Sequence, residues 1–184
     1  LYANYFDGYI YLYPTGRIVE KLAGAFPEFD TRQTNARFLG ADLSADIQFA
    51  RHFSYTLKGS MVRAKDISAD KFLPMIPADK LVNGIKWEMP SMNTFRETYL
   101  QLEHVYVARQ TRYEPGSDFA PPPDAYHLLN LNAGTQLHWR KHNLSINFSV
   151  DNLTNTLYKD YMNRFRYYAH DIGRNFILRL TYRI

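Results

Sequence analysis

Between Asn152 and Gly173 the sequence gathers Arg164, Phe165, Arg166, Tyr167, Tyr168 and His170. Guanidinium groups beside phenols suit an anionic, ring-bearing ligand, such as a catecholate or carboxylate chelator, through charge-assisted hydrogen bonds and stacking. Arg164, Arg166, Tyr167 and Tyr168 are therefore the candidate ligand-binding residues. The same side chains would serve equally to pack a loop or to hold lipid phosphates, and loops carry plain surface as well as function. Other routes to chemistry are thinner. His138 and His142 stand four apart, but they flank a turn and share no helix face, so no metal site is expected. Ser44, Ser54 and Ser60 lack a His and an Asp that the sequence could place beside them, which leaves nucleophilic catalysis unsupported. There are no cysteines, which excludes a disulfide framework and thiolate metal sites. No catalytic centre and no cofactor are expected.

These side chains need a scaffold, and composition narrows it. Hydrophobic residues make up 46% of the 184, yet the mean hydropathy is −0.42. No window approaches the roughly 18 uninterrupted apolar residues that a spanning helix needs. A chain of this kind meets a membrane with strands. The 15 Tyr and 12 Phe suit a surface apolar on one side and wet on the other. The net charge of +4 is small and its cations are scattered, so nucleic acid is not an expected partner. The chain opens at Leu1 with neither Met nor an apolar leader, and reads as a mature fragment or a piece of something longer.

The dominant period is two. Leu39, Ala41, Leu43, Ala45, Ile47 and Phe49 alternate with Gly40, Asp42, Ser44, Asp46 and Gln48, the pattern of a strand with one apolar and one polar face. Similar alternation runs through Phe53–Met61, Leu81–Met89 (with Asn83 out of pattern), Leu129–Trp139, Leu144–Val150 and Phe176–Ile184. Two strands are blurred. Tyr5–Tyr13 is aromatic on both faces, and in Glu97–Ala108 the valines Val105 and Val107 fall on the polar parity. About eight strands are predicted. Five apolar positions on one face cover about ten residues, or roughly 33 Å. Tilted by about 40–45°, they give a band of roughly 25 Å, the apolar belt of an outer-membrane barrel. The polar parity, with Asp42, Asp46, Lys58, Lys86, Glu88, Glu103, Arg179 and Arg183, would line an aqueous interior as a self-satisfied network. A soluble barrel with the apolar parity inward is the alternative that alternation alone leaves open.

Connections alternate too. Ala50–His52, Met89–Thr94 and Arg140–Asn143 are brief, whereas Pro14–Thr34, Lys65–Lys80, Thr111–Ala125 and Asn152–Gly173 are long and irregular. Short periplasmic turns and long outer loops are what a membrane-crossing meander requires, and this order sends the last strand from the outer side down to Ile184.

On these residues the chain resembles the C-terminal third of TonB-dependent outer-membrane receptors. Val150, Asn152, Leu153, Asn155 and Tyr158 match a "V-x-N-L-x-N-x-x-Y" segment. Gly173-Arg174-Asn175-Phe176 is similar to the "G-R-N-F/Y" opening of the final strand, and Tyr126–Gly134 to a "Y-x-L-L-N-L-x-x-G" strand. Tyr106–Gln110 and Tyr11–Gly16 add weaker matches. The family usually ends in an aromatic residue, and here Ile184 stands in that place. The resemblance implies an all-β, antiparallel up-and-down barrel of 22 strands in the outer membrane of a Gram-negative bacterium. Residues 1–184 would be its C-terminal portion, with an N-terminal plug and the remaining strands absent from this chain. It further implies outer-membrane lipid around the barrel, energy from the TonB complex acting on the plug, and an extracellular nutrient such as an iron–siderophore complex as cargo. A self-contained eight-strand barrel, adhesive, structural or lipid-modifying, is the competing architecture. It would require Tyr5–Tyr13 to pair with Phe176–Ile184.

Overall fold

Wherever the sequence alternates, the backbone is a strand. The computed structural model describes residues 1–183, so Ile184 lies outside the described residues. The strands are β1 (Tyr2–Lys21), β2 (Gly24–Ala50), β3 (Phe53–Asp66), β4 (Lys71–Phe72), β5 (Lys80–Glu88), β6 (Phe95–Val107), β7 (Tyr126–Trp139), β8 (His142–Asp151) and β9 (Asn175–Arg183). All pairings are antiparallel between chain neighbours, in the order β1-β2-β3-β5-β6-β7-β8-β9, with the two-residue β4 folded back onto β3. This is the expected up-and-down meander, plus one short strand that the sequence did not suggest.

The sheet does not close. β1 pairs with β2 alone and β9 with β8 alone, so Tyr5–Tyr13 and the last strand are not partners. The self-contained eight-strand barrel is not the architecture of the described residues. In hydrocarbon, the unpaired amides and carbonyls along such edges each cost several kcal/mol.

The two faces differ as the alternation requires. Leu43, Ile85, Leu178 and Leu180 are 56%, 50%, 62% and 59% exposed on the outward face; they do not pack against one another in a dry centre. Phe49, Phe53, Phe95, Trp139 and Tyr182 gather at the ends next to the short turns and are exposed. Phe49 lies 6.0 Å from Phe53 and Trp139 lies 6.3 Å from Tyr182, ring centre to ring centre. This is an aromatic girdle at a membrane boundary.

One expectation needs correction. Pro14–Thr34 is not a loop: β1 and β2 run through it to a two-residue turn at Leu22-Ala23. Its polar residues occur on both faces because the ribbon there stands above the lipid, and the period-two signal fades. The double-faced aromatics of Tyr5–Tyr13 also have a cause. Gly8 has φ +75°, and the register slips between Phe6 and Tyr9. A bulge inserts one residue and flips the parity. Phe6 before it and Tyr9, Tyr11 and Tyr13 after it then share the inner face, opposite Ala36, Thr34, Arg32 and Asp30.

The buried core lies on that concave side, near the outer end. Ala36 and Ala64 on the sheet meet Leu73 and Ile76 from the β3–β5 connection, with Tyr9, Tyr11, Phe38 and Val62 around them. The connection therefore folds inward over the sheet. Val105 is buried as well, which explains why the two valines of β6 break the parity: they face a chamber covered by loops.

Candidate functional site: the outer vestibule

The loop from β8 to β9 is built by the family-like residues. Asn152 adopts φ +50° and is buried. Its Oδ1 accepts the Thr156 N–H at 2.8 Å and its Nδ2 donates to the Thr156 carbonyl at 2.9 Å, while its own N–H donates to Asn130 Oδ1 at 3.0 Å. Asn155, at φ +54°, reaches across the loop, where its Oδ1 accepts the Arg174 N–H at 2.9 Å. A Cβ on Gly173 would lie 2.7 Å from that oxygen, so glycine is what lets the two ends of the loop close. Tyr158 packs on Tyr126 at 4.6 Å, its carbonyl accepts the Asp171 N–H at 3.0 Å, and Asn175 pairs with Asp151 to start β9. Sequence segments some twenty residues apart thus form one staple.

Inside the staple the loop turns through a 3-10 turn, Arg164–Tyr167, capped by Asn163, whose Oδ1 accepts the Phe165 N–H at 3.0 Å. The four candidate ligand residues have different fates. Arg166 is buried. Its guanidinium binds the Asp118 carboxylate, donates to the Pro121 carbonyl at 3.3 Å, and lies 4.9 Å and 4.6 Å from the ring centres of Tyr161 and Tyr167. The Tyr167 hydroxyl donates to the same carboxylate. Burial first, then the hydrogen bond to Asp118, raises the Tyr167 phenol above its ordinary range. Burial and the Asp118 charge do the same to Tyr161. Together these groups fasten the β8–β9 loop to the β6–β7 loop. Arg164 and Tyr168 instead reach the tall β1–β2 hairpin. The Arg164 guanidinium sits 5.0 Å over the Phe29 ring, and the exposed Tyr168 donates to the Ala25 carbonyl at 3.3 Å. Phe119 bridges both groups, 5.5 Å from Phe29 and 5.6 Å from Tyr167.

Loops from opposite ends of the sheet therefore meet above its concave face. Beneath them lies a chamber of about 310 Å³ lined by Lys80, Val105, Tyr126, Tyr158, Lys159 and Asp160, among others. Tyr126 donates to Asp160 Oδ2 at 2.7 Å, and the Asp160 N–H donates to Asp171 Oδ2 at 2.7 Å. Phenols, ammonium groups and carboxylates converge there, a set suited to a polar ligand with ring surfaces. Asp118, Asp160, Asp171, Lys159 and Tyr126 were not among the candidates drawn from the sequence. Tyr126 alone carried a signal, as the first residue of a family-like strand.

Lower on the concave face part of the expected polar network is present, as separate pairs at Asp46, Lys86, Glu88 and Glu103. Lys86 pairs with Glu88 at 2.5 Å and lies 5.1 Å from the Tyr99 ring centre. Glu103 accepts from Asn130 at 3.1 Å, and Asp46 from Thr56 at 2.5 Å. No group of three or more metal-ligating side chains occurs among the described residues.

Over residues 1–153 the sequence matches the family described as TonB dependent receptor-like, beta-barrel. The chain belongs to that family. Such receptors are outer-membrane proteins of Gram-negative bacteria and are not enzymes. Among solved structures, the fold is similar to that of a protein titled "Copper transporter OprC", with a TM-score of 0.70 at 19% identity. The match covers 95% of this chain and 26% of that one, so the chain spans about a quarter of that transporter's length. No curated protein matches by sequence. As a stretch of TonB-dependent receptor barrel, the outward aliphatic face and the one-sided loops have a common explanation: lipid outside and water inside.

Proposed function

We propose that this chain is the C-terminal wall of a TonB-dependent transporter that captures a bulky nutrient, such as an iron–siderophore complex, in the chamber under its outer loops. The observation that carries this reading is the convergence of the β1–β2 hairpin and the β6–β7 and β8–β9 loops over the concave face of a sheet whose outward face is aliphatic. In the whole protein the two open edges are completed by further strands to a 22-strand barrel, and an N-terminal plug driven by the TonB complex fills the lumen. Tyr126 and Lys159, which line the chamber, and Arg164 and Tyr168 on the β8–β9 loop are the ligand contacts we favour; Arg166 and Tyr167 are committed to Asp118 on the β6–β7 loop. The test is uptake of radiolabelled ferric siderophores of the catecholate and carboxylate classes by cells bearing the full-length receptor, with and without the TonB complex, and with cupric ion as the competing cargo. TonB-dependent uptake of a ferric chelate that falls on Arg164→Ala supports the reading. Uptake of copper alone would replace the siderophore, and no TonB dependence with any cargo would end the transport reading.

A further inference from the structure

On the outward face of β3, Gly59 occupies a position that alternation assigns to an apolar side chain, between Leu57 and Met61. Nothing in its surroundings requires glycine. Its backbone is not in the left-handed region. A Cβ there would lie 3.7 Å from Leu81 Cδ1 and 4.0 Å from Leu43 Cβ, ordinary contact distances. By contrast, a Cβ on Gly40 would lie 2.1 Å from the Tyr2 ring and one on Gly134 2.4 Å from the Tyr99 ring. Glycine in a strand interior forgoes packing and often marks a place where something approaches the backbone closely. At Gly59 the missing side chain leaves a groove of about 370 Å³, walled by Ala41, Leu43, Met61, Leu81 and Tyr106.

The groove has a direction. β3 rises from the short turn at Arg51-His52, and from Phe53 to Arg63 it climbs roughly 33 Å along the strand, about 25 Å in height when tilted. Gly59 therefore lies in the outer half of the apolar belt and Arg63 at its outer boundary. Arg63 binds Asp79 through both terminal nitrogens, at 2.6 and 2.8 Å, and Arg112 binds the same carboxylate at 3.0 Å. Two guanidinium groups share one carboxylate, so the rim above the groove is left with net positive charge, and Asp79 itself lines the groove. Apolar trough below and cationic rim above form the outline of an acylated, phosphorylated lipid of the outer leaflet.

We infer that the Gly59 groove seats one acyl chain of a phosphorylated outer-leaflet lipid, with its phosphate at the Arg63 rim. The site faces away from the lumen and is independent of the cargo. The full-length receptor, purified in mild detergent and titrated with diphosphoryl lipid A under native mass spectrometry, provides the test. Its controls are dephosphorylated lipid A and phosphatidylglycerol. Wild type should retain diphosphoryl lipid A, and Gly59→Leu should weaken that retention roughly tenfold. Arg63→Gln should weaken the diphosphoryl form while sparing the dephosphorylated one. Gly59→Ala, the smallest filling of the groove, gives an intermediate loss and guards against misassembly of the larger variant. Equal retention by wild type and both Gly59 variants would overturn the site. So would Gly59→Leu splitting a receptor dimer while leaving bound lipid unchanged, since a second protein would then be the occupant.

Discussion

The phenol ring of Tyr99 on β6 lies flat across Gly134 on β7, close enough that a Cβ on Gly134 would meet ring carbon Cε1 at 2.4 Å. The two residues are directly paired across the strands, and the Tyr99 hydroxyl donates to Asn147 on β8 at 3.3 Å. One ring therefore covers a bare stretch of backbone and ties three strands together on the inner face. Tyr2 over Gly40 repeats the device between β1 and β2. Gly134→Ala should cost about 1–3 kcal/mol through overpacking. The same substitution in a Tyr99→Ala background should cost far less, a non-additivity read from urea midpoints of the receptor in detergent.

Arg166 and Asp118 form a buried ion pair between two loops. Removing one partner strands a buried charge, so Asp118→Asn or Arg166→Met should destabilise the loop pair by about 3–5 kcal/mol. Replacing both with apolar residues should restore most of the loss. Hydrogen exchange over residues 111–125 and 152–173 reads this directly: both segments should lose protection together in each single variant.

Asn155 holds the ends of the last loop together through one oxygen. Asn155→Ala removes the acceptor for the Arg174 N–H in an exposed hydrogen bond and should cost about 0.5–1.5 kcal/mol. Asn155→Asp keeps the acceptor and should keep most of the protection at Arg174. Protease sensitivity of the 152–174 loop distinguishes the two.

Asp79 should make the outer rim sensitive to acid. Burial opposes its charge, yet hydrogen bonds from Arg63 and the Arg112 and Arg63 charges outweigh burial and hold its carboxyl below the ordinary carboxylate value. A carboxyl lowered in the folded state contributes stability above its unfolded pKa and loses it as pH falls through the folded value. Protection of the β3–β5 connection should therefore be flat above about pH 4–5 and decline in stronger acid. Asp79→Asn should show less protection at neutral pH and little further change on acidification.

Most of the meander was legible because lipid on one side and water on the other impose a strict period of two, as from Leu39 to Phe49. Legibility failed where that asymmetry ended. Above the membrane, β1 and β2 continue as a ribbon wet on both faces, and Pro14–Thr34 looked like a loop. At Gly8 a single inserted residue reversed the parity of Tyr9, Tyr11 and Tyr13; the glycine was the available clue. The vestibule was half legible. Arg164–Tyr168 stood out by residue type, but the partner of Arg166 is Asp118, 48 residues away, and no spacing along the chain announces that meeting. Asn155 and Gly173 were visible as motifs, while their contact became physical only once the loop was closed.

The β1–β2 hairpin, with 20 and 27 residues in its strands, is about twice as long as a bilayer crossing needs, and its tip residue Leu22 is fully exposed. It thereby forms a mast ending in two residues outside the strand ladder. A peptide epitope spliced between Leu22 and Ala23 would be displayed to antibodies well clear of the lipopolysaccharide brush. The same mast would be a first point of contact for a phage or bacteriocin seeking this receptor.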